Sequence, residues 1–134
     1  MKKIVSKDKS VPMKELLSYA TSNVEKEYVK YIQSQNRELY GFEFEGETVG
    51  CIGVEINNPH LCEIKHIAVS PIMRENGIAS EMIRYMSDLY PIDYIFAETD
   101  KDAVAFYEKY GFKTTSLGEK YPGVERFLCE LHFR

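Results

Sequence analysis

Residues 66 to 79 read His-Ile-Ala-Val-Ser-Pro-Ile-Met-Arg-Glu-Asn-Gly-Ile-Ala. An apolar strand ends at Val69, Ser70-Pro71 breaks it, and Arg74-x-x-Gly77-x-Ala79 opens a helix. The first turn of a helix leaves its N–H groups unpaired, and the aligned peptide dipoles add partial positive charge there, so a phosphate suits the place. Gly77 lets a ligand approach the backbone closely and Ala79 keeps the next position small. Arg74 adds a permanent cation with fork geometry. An ordinary helix start with a surface arginine carries the same pattern, so the flanking segments must decide its meaning.

Upstream, a short strand is expected near Ile4-Val5, and Pro12 suits the first turn of a helix through Leu16, Leu17 and Tyr19. Ser22-x-x-Glu25 fits a capping box for a second helix, with Val24, Tyr28, Tyr31 and Ile32 at helical spacing. From Glu38 the period changes to alternation. Glu45-Gly46-Glu47 then reads as the turn of a hairpin, followed by a strand over Val49 to Ile56. A third strand covers Leu61 to Val69, which gives three antiparallel strands in series.

Downstream of Gly77, Ile78, Met82, Tyr85, Met86 and Leu89 form one apolar helical stripe that ends at Pro91. Tyr94-Ile95-Phe96-Ala97 reads as a buried strand, and the helical crossover makes it parallel to the one ending at Val69. A last helix spans about Asp102 to Tyr110, with Gly111 at its C-terminus. Two closing strands follow, near Lys113 to Leu117 and Arg126 to Phe133. The predicted class is α+β, with a mixed sheet of six or seven strands flanked by about four helices.

With 134 residues and 44% hydrophobic content, one domain spanning residues 1–134 is expected. The 17 basic and 21 acidic residues give a net charge of −4, which argues against a nucleic-acid partner and towards cationic or neutral ones. A phosphorylated small ligand needs only a few local cations, so net charge does not oppose the anion site. Cys51, Cys62 and Cys129 form no C-x-x-C pair, and His60, His66 and His132 show no metal-ligand spacing, so structural thiols and no metal are expected. Met1 to Val5 lacks the apolar run of a signal peptide, and no stretch approaches the ~20 apolar residues of a membrane span. A cytoplasmic protein without a membrane partner is the expectation.

Two segments carry a family resemblance. Ile67-Ala68-Val69 through Ala79 resembles the Gln/Arg-x-x-Gly-x-Gly/Ala motif that follows the central strand in the GNAT superfamily of acyl-CoA-dependent N-acyltransferases. Asp100-x-x-Ala103-x-x-Phe106-Tyr107-Glu108-Lys109-x-Gly111-Phe112 is similar to that family's Asn-x-x-Ala-x-x-x-Tyr-x-Lys-x-Gly-Phe pattern, and the element order agrees over nearly the whole chain. The resemblance implies splayed central parallel strands with acetyl-CoA as co-substrate across the splay. It implies pyrophosphate on the amides of Asn76, Gly77, Ile78, Ala79 and Ser80, beside Arg74 and Glu75. The acetyl and pantetheine groups would lie along Ile67, Ala68 and Val69, with an oxyanion donor near Ile67. From the second motif, Asp100, Ala103, Phe106, Tyr107 and Lys109 would complete the cofactor contacts.

At Asp100 many relatives carry asparagine. An ionised aspartate only accepts hydrogen bonds, so Asp100 either meets the pantetheine arm differently or caps the helix beginning near Asp102. Tyr107 matches the family tyrosine that protonates the leaving thiolate, although it also falls on an apolar helix face. An attacking amine must first lose a proton, and Glu63, six residues before Val69, is the candidate base, unless it is a surface glutamate paired with Lys65. Strand alternation places Glu63, Lys65, Ile67 and Val69 on one face and Ile64, His66 and Ala68 on the other, which turns His66 away; a bulge would reverse that.

The expected activity is direct acetyl transfer to a primary amine, on a small molecule or a protein, with a non-catalytic acyl-CoA-sensing module as the alternative. Acceptor recognition is expected from the first two helices, the turn following them and the Gly118 to Arg126 segment, where Tyr19, Tyr28, Tyr31, Tyr121 and Glu125 are available. The closing strand Arg126 to Phe133 would be open to a second subunit or covered within one, so a homodimer stays open.

Overall fold

Alternation, crossover and turn chemistry combine into one seven-stranded sheet, with strand order β1-β2-β3-β4-β5-β7-β6. The computed structural model describes residues 2–4 and 11–133, so Val5 of the expected first strand lies outside the described residues. The elements are β1 (Lys2–Ile4), α1 (Val11–Leu17), α2 (Val24–Gln33), β2 (Arg37–Phe44), β3 (Glu47–Asn58), β4 (Leu61–Val69), α3 (Ile78–Leu89), β5 (Tyr94–Asp100), α4 (Val104–Tyr110), β6 (Lys113–Tyr121) and β7 (Val124–His132). All neighbours are antiparallel except β4 and β5, which run parallel because α3 carries the chain between them. The β2–β3 hairpin turns on Glu45 (φ 52°) and Gly46 (φ 82°), the pair of positive φ angles that a tight two-residue turn requires.

The sheet separates two cores. Ile52, Val54, Cys62, Ile64 and Ile95 pack under α3 and α4, while Leu39, Cys51 and Ala68 pack with Leu17, Tyr28 and Tyr31 of α1 and α2. Along α3 the buried residues are Ile78, Met82, Ile83 and Met86; burying each contributes roughly 1.5–3 kcal/mol. Leu89, assigned to this stripe from spacing, is 43% exposed, and Ile83 fills the interior instead.

The expected capping box at Ser22 and Glu25 does not form. Asn23 is the N-cap and no side chain caps α2, while the Glu25 carboxylate pairs with Lys14 of α1 at 3.1 Å and ties the two helices together. Tyr19 lies past the end of α1 in a turn bonded back to Leu16 and Leu17. The Gly118 to Arg126 segment is hairpin rather than loop, since β6 and β7 stay paired to Tyr121↔Val124. Arg126 to Phe133, which the sequence left either open to a second subunit or covered within one, is β7, enclosed between β5 and β6; β6 forms the edge.

β4 departs from simple alternation. His66 pairs with Gly53 and Ile64 with the next residue, Val54, so Lys65 is an extra residue, a β-bulge. Beyond it the faces exchange. Cys62 and Ile64 belong to the α3/α4 core, as do Ile67 and Val69, whereas Ala68 belongs to the α1/α2 core. Glu63 and His66 therefore share the α1/α2 face, and Glu63 does not share a face with Ile67 and Val69 as alternation predicts.

Tyr31 of α2 lies directly over the bulge. A Cβ at Gly53 would fall 2.0 Å from the Tyr31 hydroxyl oxygen and 2.2 Å from Cζ, so only glycine leaves room for the ring. Gly53→Ala is expected to lower stability by about 1–3 kcal/mol, the range of overpacking in a filled interior. A urea midpoint that falls at unchanged slope would verify it; an unchanged midpoint would show that α2 shifts freely.

Candidate active site

β4 and β5 pair from Leu61↔Tyr94 to Ile64↔Ala97 and then part, immediately before the bulge. Past that point the β5-facing edge of β4 has no strand partner. The gap opens into a cleft of about 1230 Å³. Ile67, Ala68 and Val69 form one wall, Glu98, Thr99 and Asp100 the other, and α3 and α4 close one side.

At the cradle, Pro71–Met73 makes one 3₁₀ turn and Gly77 takes the left-handed conformation (φ 75°, ψ 11°) as N-cap of α3. The first intrahelical bond runs from the Glu81 N–H to the Gly77 carbonyl at 3.0 Å. That leaves the N–H groups of Ile78, Ala79 and Ser80 without intrahelical acceptors at the cleft wall. Arg74, which lines the same cleft, donates from Nε to the Val69 carbonyl at 3.1 Å, and its guanidinium carbon lies 5.4 Å from the Tyr19 ring centroid. Glu75 also lines the cleft, in a left-handed conformation (φ 67°). Asn76 does not; its amide nitrogen donates to the Met73 and Arg74 carbonyls (3.0 and 3.2 Å) and it lines a smaller hollow behind the loop.

On the opposite wall, Asp100 Oδ1 accepts from the N–H groups of Asp102 and Ala103 (3.0 and 3.2 Å). It thus caps the turn before α4, which starts at Val104 rather than near Asp102. Ala103, Phe106, Tyr107 and Lys109 line the cleft from this side. Tyr107 is 3% exposed, its ring set edge-on to Phe106 and Phe112. Burial pushes its phenol above the usual range, so it stays protonated.

The bulge carries a polar network. Tyr31 Oη lies 2.5 Å from His66 Nδ1, and His66 Nε2 lies 3.8 Å from Glu27 Oε1. Arg37 bridges Glu27 (3.1 Å) and Glu55 (3.2 Å), and Lys65 pairs with Glu63 at 3.1 Å. Burial pushes the His66 imidazolium down against the pull of Glu27, and burial raises the Tyr31 phenol, so both are neutral. Tyr31 donating to Nδ1 and the ring hydrogen on Nε2 facing Glu27 satisfy both contacts. His66 borders the cleft with its ring committed to α2. Glu63 sits where β4 and β5 are still paired, opposite Phe96, and does not line the cleft.

Glu98 also lines the cleft and carried no site role in the sequence reading. Glu98 is the first charged residue after the apolar run of β5, at the carboxyl end of a parallel strand where ligands gather, and that position was the available signal. Arg126, the last residue of the segment expected to meet the acceptor, lines the cleft from β7, three elements away. Burial pushes the three buried thiols up, Cys51 and Cys62 to about 12 and Cys129 to about 11, which keeps them unreactive. Among the described residues no cluster of His, Cys, Asp or Glu is placed to hold a metal, and no helix is long and apolar enough to cross a membrane.

Fold and cleft together define an α+β protein with an open cleft between its two parallel strands and unpaired helix-start N–H groups on its wall. The sequence matches the acetyltransferase (GNAT) domain model over residues 6–126, and the chain belongs to that family. It is 32% identical over 80 residues to an uncharacterized N-acetyltransferase in the lysA 3′ region of Bacillus methanolicus, covering 60% of this chain and 65% of that relative, just under two thirds of its length. The fold is shared with an aminoglycoside 6′-N-acetyltransferase complexed with coenzyme A (TM-score 0.77, 15% identity, 98% of this chain and 97% of the other). It is also shared with a GNAT family acetyltransferase from Elizabethkingia anophelis with acetyl-CoA bound (TM-score 0.72, 18% identity, 97% and 96%).

Proposed function

We propose that the chain is a single-domain N-acetyltransferase that moves an acetyl group from acetyl-CoA to a primary amine by direct attack. The observation that carries this is the opening between β4 and β5, with the N–H groups of α3 at one end and Tyr107 across from them. Acetyl-CoA and CoA in the two similar solved structures support the choice of co-substrate.

In this reading the first turn of α3 and Arg74 hold the pyrophosphate, and the unpaired edge of Ile67 to Val69 aligns the pantetheine and acetyl carbonyl. The neutral amine forms its bond to the thioester carbon, the carbonyl oxygen takes negative charge against a backbone N–H, and the carbon–sulfur bond then breaks. Tyr107 donates its proton to the departing sulfur. Solvent in the open cleft accepts the proton that the attacking nitrogen sheds, and a solvent proton restores the Tyr107 phenol. Glu63, bound to Lys65 and outside the cleft lining, reaches that proton only through water.

Calorimetry with acetyl-CoA tests the binding half of the proposal, with micromolar or tighter affinity expected, about −8 kcal/mol. A panel of primary amines followed by CoA release tests turnover. A CoA-binding module without turnover is the second reading, favoured by the commitment of both β4 candidate bases to other partners. Binding with no release across the panel would establish it, and absence of binding would remove both.

A further inference from the structure

The β5 wall of the cleft contains a carboxylate already paired with an ammonium of the same chain. Glu98 is the first β5 residue beyond Ala97, the last one paired with β4, and stays paired with Leu128 of β7. Ile95 and Ala97 point into the α3/α4 core, so alternation turns Glu98 to the other face, away from the cradle and Tyr107. Lys120 Nζ lies 2.6 Å from Glu98 Oε1, reaching it from β6 across β7. The second oxygen is separately held: Arg126 Nε is 3.6 Å from Oε2, and Arg126 Nη2 donates to the Glu98 carbonyl at 3.2 Å. Arg126 therefore fixes the carboxylate and leaves Oε1 to an ammonium. The Lys120–Glu98 pair is exposed (47% and 37%), and such pairs exchange partners at little cost. On the β4 wall, by contrast, the Lys65 ammonium is shared between Glu63 and Glu55 (3.1 and 4.0 Å).

We propose that the Glu98 carboxylate is the seat for a second, protonated nitrogen of the amine acceptor, and that Lys120 holds this seat until the acceptor replaces it. The seated nitrogen is not the one that reacts. A carboxylate stabilises the protonated form of an amine bound to it, whereas attack requires the neutral form, so a nitrogen on Glu98 anchors while another reaches the thioester. This selects acceptors with two or more amino groups, and it rests on the acetyltransferase reading above.

The test is calorimetry on CoA-saturated protein with spermidine and with 1-aminobutane as probes. Spermidine should bind about tenfold more tightly or better, the value of one charge-assisted contact. Glu98→Gln should abolish that preference, and Lys120→Ala should tighten spermidine binding several-fold by removing the internal competitor. Equal affinity of the two amines for wild type, or a preference that survives Glu98→Gln, overturns the inference. The prior titration with CoA separates the two levels: absence of CoA binding removes the acetyltransferase reading and this one with it, whereas CoA binding without an amine preference removes only this one.

Discussion

Gly77→Glu is expected to weaken acetyl-CoA binding by more than about 100-fold, a loss of roughly 2.7 kcal/mol or more. Gly77 holds a φ of 75°, where a residue with a Cβ costs about 1–2 kcal/mol. A Cβ there would meet no heavy atom within 4 Å, so the side chain itself fits and the variant folds. The loss therefore comes from what the new side chain occupies. Its carboxylate would stand at the exposed N–H groups of Ile78 to Ser80, satisfy them from within, and repel the pyrophosphate. Gly77→Asn separates charge from conformation, because asparagine tolerates the left-handed region; it should cost only a few-fold. Calorimetry on both variants decides: an affinity for Gly77→Glu within threefold of wild type would move the pyrophosphate away from α3.

Local pattern made the elements that build the cleft legible. β4 was readable over its full Leu61–Val69 span, because the Pro59 and Ser70-Pro71 breaks bound it on both sides. β5 was readable from four apolar residues flanked by polar ones. The bulge was not legible, since one extra residue leaves no mark in composition and yet reverses every face beyond it. It carried Glu63 and His66 onto a common face, and the only trace in the sequence was Gly53, whose missing side chain matters once Tyr31 is known to lie over it. Ser22 and Glu25 misled for a related reason: a capping box is a local preference, and Glu25 found a partner in Lys14 on another helix. Asp100 was resolvable because its acceptor role spans only two and three residues. The Glu98–Lys120 contact joins positions 22 apart through two strand pairings, beyond the reach of any window of sequence.

Tyr107→Phe is expected to lower kcat by about 10²-fold or more while leaving the KM for acetyl-CoA within about threefold. The ring sits between Phe106 and Phe112, and phenylalanine keeps that packing. Among the described residues the hydroxyl makes no hydrogen bond, so its removal orphans no protein group and the variant should unfold at an unchanged denaturant midpoint. In the proposed reading the contacts that hold acetyl-CoA in its ground state lie on α3 and β4, so affinity should survive. In that reading the hydroxyl acts on the sulfur as negative charge develops, an interaction made mainly in the transition state. Burial raises the Tyr107 phenol, so the acid stays protonated through neutral and mildly alkaline pH. The rate should then climb as the amine acceptor deprotonates, with no descending limb from Tyr107 below about pH 10, where an unperturbed tyrosine begins to ionise. Tyr107→Phe should reproduce the same ascending profile, displaced downward as a whole. An unchanged kcat would remove Tyr107 as the acid, and a descending limb near neutrality that the substitution abolishes would show a phenol ionising far below the range its burial dictates.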